Sequence, residues 1–339
     1  MPPEQTDTAN VSIQDVVGIR ETTFLQRLLA SQPFWITVAL VAIIVFMSFY
    51  EPNAYPTERN FYNITRNFAF IGIMAMGMLA VIITGGIDLS VGSIMGFVGI
   101  VAGVILEAHL PWWIALPAGL MAGAALGAVN GWLIAYVGLP PFVVTLGMLA
   151  AARSFAQILS GNRMITDFGP DKTIVLEIGG GEIMGIANPV WVLVVLTFVF
   201  GFVFNYTPWG RRLFAIGGNE QAAQLTGVPV RHMKFQVYVL SAFTAALSSI
   251  LILGWQGSAI NALGVGYELR VIASTVIGGA DLMGGAGTAY GAFIGAALIE
   301  VIRNGLLMAG VDANWQGAFV GLFIVLAVYL ERLRGHSRA

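Results

Sequence analysis

The chain has 339 residues, 57% of them hydrophobic before its 42 glycines are added and only 10% charged, with a net charge of −2 and a mean hydropathy of +0.81. A soluble domain is about a quarter charged, so there is too little polar side chain here to cover a water-facing surface. A soluble enzyme is excluded by that shortage, a disordered chain by the 11% aromatic content, and a disulfide framework or thiolate metal site by the absence of cysteine.

Residues 1–32 are polar and net acidic, with Glu4, Asp7, Asp15 and Glu21 against Arg20 and Arg27. A secretory signal would have a basic start and a short apolar core, so this stretch is expected to be a cytoplasmic tail preceding a retained first span. A bilayer core about 30 Å thick needs roughly 20 apolar helical residues per crossing. The sequence predicts ten spans, near 33–50, 62–84, 87–106, 111–136, 141–160, 189–206, 235–256, 269–281, 288–309 and 315–331. The eighth is too short for an ordinary span and is expected to be re-entrant or broken. Pro111 and Pro189 suit first-turn positions, Asn188 is available as a cap, and Pro140-Pro141 separates two helices. The fold class is therefore all-α, a polytopic transmembrane bundle with its permease domain at 33–331 and a short tail at 332–339.

Basic residues orient the bundle. The 207–234 loop carries Arg211, Arg212, Arg231 and Lys234, and the C-terminal tail carries Arg332, Arg334 and Arg338, whereas acidic residues outnumber basic ones in the 161–187 loop. Both termini and the 207–234 loop are expected to be cytoplasmic.

Gly119, Gly123, Gly127 and Gly131 recur every four residues, and Gly92/Gly96, Gly99/Gly103 and Gly291/Gly295 repeat the spacing. Such stripes permit close helix packing or line a path. Gly85-Gly86-Ile87-Asp88-Leu89 recurs 193 residues later as Gly278-Gly279-Ala280-Asp281-Leu282. Internal repeats with broken helices are common in transporters. Each aspartate either caps the following helix, touches substrate or an ion, or contacts a partner subunit.

In the cytoplasmic loop Asn219 suits an N-cap, Glu220 the first turn and Gly227 a C-terminal stop, predicting a short helix over 220–226. A helix this short needs something to pack against, either its own bundle or a cytoplasmic partner. The loop resembles the coupling loop of the ribose/xylose/arabinose/galactoside group of ABC-importer permeases, in the pattern Gly-x-Asn-x-x-Ala-Ala-x-x-x-Gly, carried here by Gly217, Asn219, Ala222, Ala223 and Gly227. Thr84–Ser93, Pro141–Gly161 and Ile277–Gly291 resemble the same group in the same order, so the resemblance covers roughly 60–332.

The resemblance implies a bacterial inner-membrane permease that homodimerises, receives a monosaccharide from a periplasmic binding protein, and is driven through alternating access by a cytoplasmic ATPase of two fused cassettes. It makes Gly217, Asn219, Glu220, Ala222, Ala223 and Gly227, with Arg211 and Arg212, the ATPase-coupling residues. ATP and Mg would be bound by that partner. The chain has only Lys172 and Lys234, neither after a glycine, and so lacks the Gly-Lys core of a phosphate-binding loop.

Arg66, Arg153, Glu300 and Arg303 fall in or near spans, where ionisable groups are costly, and Glu300 and Arg303 share a helix face and are expected to pair. Amides and aromatic faces suit sugar hydroxyls, so Asp88, Asn130, Thr145, Arg153, Gln157, Trp255, Gln256, Asn261, Asp281 and Asn304 are candidates for the substrate path. No catalytic residue, metal site, resident cofactor or nucleic-acid partner is expected, and membrane lipid surrounds the bundle. His109, His232 and His336 lack metal-ligand spacing, and the one close aspartate pair, Asp167 and Asp171, is expected to have no histidine nearby. A secondary transporter coupled to an ion through Asp88, Asp281 or Glu300 is the alternative.

Overall fold

The computed structural model describes residues 31–312 and positions 315, 317, 318, 321 and 322. The polar tail to residue 30, most of the predicted tenth span and the basic C-terminal tail lie outside the described residues. Helices α1 (Gln32–Tyr50), α2 (Glu58–Ile83), α3 (Val91–Glu107), α4 (Trp112–Trp132), α5 (Pro141–Ser160) and α6 (Lys172–Gly180) come first. A two-residue hairpin of β1 (Glu182–Ile183) and β2 (Ile186–Ala187) follows, then α7 (Asn188–Tyr206), α8 (Pro208–Gly218), α9 (Glu220–Leu225), α10 (Val230–Gln256), α11 (Tyr267–Ile277) and α12 (Ala289–Met308).

Seven of these helices are long and apolar enough to cross a membrane: α1, α2, α4 with its continuation to Val137, α5, α7, α10 and α12. Burial sorts them. The apolar window of α2 is 89% buried and that of α10 78%, against 11% for α1 and 22% for α5 and α7. The first pair forms the centre and the others the periphery. Thr57 caps α2 by accepting from the Asn60 N–H (3.3 Å), so this helix starts a polar turn earlier than its apolar run suggests.

Cross-contacts give the helix directions. The Ser248 hydroxyl donates to the Phe70 carbonyl (2.9 Å) and Gly77 meets Ser241 and Thr244, so α2 and α10 are antiparallel. The Ser249 hydroxyl donates to the Met95 carbonyl (2.6 Å) and that of Ser241 to Asp88 (2.9 Å), so α3 runs with α10. Asn60 pairs with Asn304, while Gly278 abuts Gly291, making α12 antiparallel to both α2 and α11.

The glycine stripe of α4 is a packing device. Gly119 faces Val98 and Ala102 of α3, and Gly123, Gly127 and Gly131 face Ala246, Ala242 and Phe235 of α10, with all four glycines buried. A Cβ would force these helices apart. This stripe lines no path. The helix ends in a π turn (Leu133–Val137) stopped by Gly138 at φ +84°.

Several boundaries differ from expectation. Asn188 is no cap: its amide donates to the carbonyls of Glu177 (2.8 Å) and Ile178 (3.3 Å), tying the end of α6 to the start of α7. The 161–187 segment holds α6, whose Gly179 packs on Gly254 of α10, and a hairpin turning at Met184-Gly185 with positive φ at both residues. Helix α10 begins at Val230, so Arg231 and Lys234 belong to its first turn.

The eighth predicted span is a broken element. After α10, residues 257–266 pass beside the glycine face of α3 as a bridge residue followed by consecutive turns, with Ala259 against Gly103, Leu263 against Gly96 and Gly264 against Gly92. Only then does α11 begin. Its 11 residues span about 16 Å. The rest of the element is the non-helical, turn-rich segment before it.

Candidate functional site

The segment between α7 and α10 forms two helices. Thr207 caps α8 by accepting from the Gly210 N–H (3.2 Å), and Asn219 caps α9 through its side-chain oxygen and the Ala222 N–H (2.9 Å). Gly227, at φ +85°, ends the turn. Gly217 lies against the Ile83 carbonyl and the Gly285 amide, and the Gly285 N–H donates to that same carbonyl (2.9 Å). Three segments distant in sequence therefore meet where α8 hands over to α9. Of α9 only Ala223 is buried; Leu225 is 89% exposed at its end. Glu220 pairs with Lys234 of α10 (2.7 Å). Beside α9 a pocket of about 890 Å³ is lined by Tyr136, Pro140, Gln224, Arg231 and Lys234 among others. Arg211 and Arg212 are exposed on α8.

The two Gly-Gly-x-Asp stretches share an Asx turn at the aspartate, but the positive-φ glycine is the first of the pair in one copy, Gly85, and the second in the other, Gly279. Asp88 accepts from the Ser90 N–H (2.9 Å) and Asp281 from the Met283 N–H (2.8 Å), each two residues on. Neither side chain caps a helix: α3 starts beyond Ser90 and α12 is capped by Thr288, which accepts from the Gly291 N–H (3.0 Å). Their surroundings differ. Asp281 is half-buried, whereas Asp88 is fully buried and also accepts from the hydroxyls of Ser90 (2.6 Å) and Ser241 (2.9 Å). The Asn130 amide donates to the Ser90 hydroxyl (2.9 Å), and the hydroxyl of buried Thr145 donates to the Ile87 carbonyl (3.5 Å). Asn130 Oδ1 and the Tyr238 hydroxyl are buried with no hydrogen-bond partner among the described residues.

Arg153 Nη1 donates to the carbonyls of Asn261 (2.8 Å) and Leu263 (2.7 Å), clasping the turn segment against α3. Asn261 in turn donates to Asn162 Oδ1 (2.9 Å) and more weakly to the Ser160 hydroxyl (3.4 Å). Gln157 and Gln256 are exposed nearby in sequence to these anchors. Trp255 takes the Arg66 guanidinium on its ring face, 4.3 Å from the centroid. Asn304 and Asn60 bond each other reciprocally (2.8 and 3.2 Å) between α12 and α2. Burial thus divides the path candidates. Asp88, Asn130, Thr145 and Asn304 are enclosed in packing, while Arg153, Gln157, Trp255, Gln256, Asn261 and Asp281 keep accessible surface.

Glu300 and Arg303 pair through both carboxylate oxygens, with the Glu300 side chain 2% exposed. Removing one partner strands the other in the bundle. Glu300→Ala is expected to destabilise the permease by about 3–5 kcal/mol, while Glu300→Gln with Arg303→Met recovers most of it. Thermal unfolding in detergent would show this, and equal melting of all three proteins would refute a stabilising pair.

The Asp167–Asp171 pair does have a histidine close by, contrary to expectation: His109 Nε2 lies 3.7 Å from Asp167. Both residues are exposed, and the loop uses the aspartates structurally. The Gly169 N–H holds the Asp167 carboxyl below the usual carboxylate range, and Asp171 accepts from the Trp112 N–H (2.9 Å) at the start of α4. No group of three or more metal-ligating side chains occurs among the described residues.

Sequence reasoning missed Ser90, Ser241, Tyr238, Lys234 and Glu268, the last packed beside Gly92. A signal for the serines was present: Ser241, Thr244 and Ser248 recur at helical spacing within an Ala/Leu helix, and all are buried.

A family model described as "Branched-chain amino acid transport system / permease component" matches residues 60–328. The chain is 35% identical over 295 residues to the ribose import permease protein of Escherichia coli K12, covering 87% of this chain and 92% of the relative. It is 33% identical over 302 residues to that of Haemophilus influenzae, covering 89% and 93%. With the L-arabinose ABC transporter permease protein of Azospirillum brasilense it shares 31% over 303 residues, covering 89% and 88%.

Proposed function

Because the chain belongs to this family of ABC-importer permeases, in the group that holds the ribose and arabinose permeases, we propose that it is the membrane subunit of an ATP-driven importer of a monosaccharide, pentose or hexose. The family description speaks of branched-chain amino acids, but the ribose and L-arabinose permeases, aligned over 88–93% of their length, are named for sugars, and these support the narrower class. It is a multi-pass inner-membrane protein and, like its family, a permease subunit that relies on another chain for ATPase chemistry.

The observation that carries the coupling mechanism is the α8–α9 corner. A cytoplasmic ATPase of two fused cassettes, binding ATP and Mg, grips α9 and the pocket beside it. Ala223 anchors α9 to the bundle, and Gly217 connects α8 to the end of α2 and the 284–285 turn. A push on α9 therefore reaches both Gly-Gly-x-Asp turns, which bound two halves of an internal repeat. Two permease copies would form the path, alternating between a side open to a periplasmic sugar-binding protein and a side open to the cytoplasm. With ten spans alternating in direction, as the sequence predicts, both termini lie in the cytoplasm in this reading. The accessible amides of Gln157, Gln256 and Asn261, on α5, the end of α10 and the turn segment after it, are the sugar-facing groups, since irregular backbone at membrane depth is tolerated where it lines a cavity.

Leu225 tests the docking role more cleanly than Ala223, whose burial makes any larger side chain a folding lesion. Leu225→Glu is expected to leave the permease folded and lower ATP-driven uptake by about tenfold or more, as for an anchor residue at an interface. The decisive experiment is uptake into vesicles holding the permease with and without its ATPase and binding protein. Uptake that needs both and survives collapse of the proton gradient supports the importer. Uptake by the permease alone that vanishes with the gradient would replace it with ion-coupled transport.

A further inference from the structure

Between α7 and α12 runs a groove of about 660 Å³ that the transport reading leaves unused. Its walls are apolar, with Val194, Phe198, Phe202 and Phe293, and Phe198 and Phe202 are 76% and 62% exposed. Toward the end where α7 gives way to α8 the lining turns polar, with Asn205, Tyr206, Thr288 and Tyr290. Arg211, one turn into α8, donates through Nη1 to the carbonyl of groove-lining Tyr206 (3.4 Å), and Arg212 follows it, exposed. Neither guanidinium has a carboxylate within ion-pair distance among the described residues.

The chemistry is two-ended. An apolar slot between membrane helices takes an acyl chain, hydroxyl and amide groups at its mouth suit a glycerol backbone, and two unpaired guanidiniums at the membrane–water boundary call for an anion. Arginine favours phosphate in particular, because its fork of donors matches two oxygens. We propose that the groove is a binding site for an anionic phospholipid of the inner leaflet, with its acyl chain between α7 and α12 and its phosphate on Arg211 and Arg212. A lipid held there would brace the junction of α7 and α8, directly upstream of α9. This assignment rests on the cytoplasmic placement of α8 and not on the identity of the sugar.

Gly201 supplies the test. It lines the groove, and a Cβ added there meets nothing nearer than Ala289 at 4.0 Å, so Gly201→Leu starts from an uncrowded position and projects into the slot. The readout is native mass spectrometry of the full-length permease in detergent titrated with phosphatidylglycerol or phosphatidylcholine. The wild-type chain is expected to retain phosphatidylglycerol preferentially. Arg211→Ala with Arg212→Ala should weaken that retention roughly 30-fold, and Lys at both positions, which keeps the charge but not the fork, should restore only part of it. Gly201→Leu should abolish it with melting otherwise unchanged. Equal retention of the two lipids overturns the proposal. So does retention indifferent to Gly201→Leu, the outcome if residues 1–30 or a second copy fill the groove. Loss of ATPase association in the double alanine variant, with lipid retention intact, would instead assign the two arginines to the ATPase contact.

Discussion

Gly217→Ala is expected to abolish transport, whereas Gly218→Ala, one residue on, is expected to leave it intact. The contrast follows from what each new methyl group would meet. At Gly218 there is nothing within 4 Å. At Gly217 the methyl would overlap the Ile83 carbonyl and the Gly285 amide, two backbone groups already joined by a 2.9 Å hydrogen bond. Neither can swing aside as a side chain would, so α8 must lift away from the end of α2. Overpacking of this kind costs about 1–3 kcal/mol or more. The functional loss should exceed the stability loss, because the displaced contact joins the α8–α9 corner to the end of α2 and the 284–285 turn. Parallel uptake and melting measurements on the two variants check this. Equal behaviour of Gly217→Ala and Gly218→Ala would remove the junction from the mechanism.

Asp88→Leu should prevent accumulation of folded permease. Its carboxylate accepts from the Ser90 N–H, the Ser90 hydroxyl and the Ser241 hydroxyl, all inside the bundle. Leucine leaves three buried donors without acceptors, at about 1–3 kcal/mol each, which together approach the whole stability of a typical domain. Asp88→Asn keeps a side-chain oxygen for the Ser90 turn and should cost only a fraction of this. The level of monodisperse protein extracted from membranes distinguishes the variants. Normal amounts of Asp88→Leu would show that the turn does not depend on the carboxylate. Asp281→Leu is the useful comparison: its Met283 contact lies in a half-buried turn, so water can replace the lost acceptor and a much smaller effect is expected.

The different fates of the two aspartates show where sequence reasoning reaches its limit. The repeated Gly-Gly-x-Asp was visible as a pattern, and both aspartates do form an Asx turn, though the left-handed glycine is Gly85 in one copy and the non-equivalent Gly279 in the other. Nothing local separates the buried copy from the half-buried one; Ser241 and Asn130, 153 and 42 residues away from Asp88, make the difference. The eighth segment is similar. Its shortness announced a broken element, but the clasp of Arg153 on the Asn261 and Leu263 carbonyls depends on α3 presenting Gly92, Gly96 and Gly103 to a closely packed run of turns. For Ala223, the pattern marked a short helix at the right place and left open which face would be buried.

By itself the sequence determined the solvent and the element lengths. Apolar runs of spanning length dictate helices because lipid offers the backbone no hydrogen-bond partner, and Asn219, Thr207 and Gly227 mark local starts and stops because caps and left-handed turns are satisfied within a few residues. Only the tertiary structure decided which polar groups are enclosed and which remain open to a ligand. Burial and pairing are properties of helices packed together from far along the chain: Asn304 is spent on Asn60, Glu220 on Lys234 and the α4 glycines on α10, while Leu225 and the groove beside Gly201 are left uncovered.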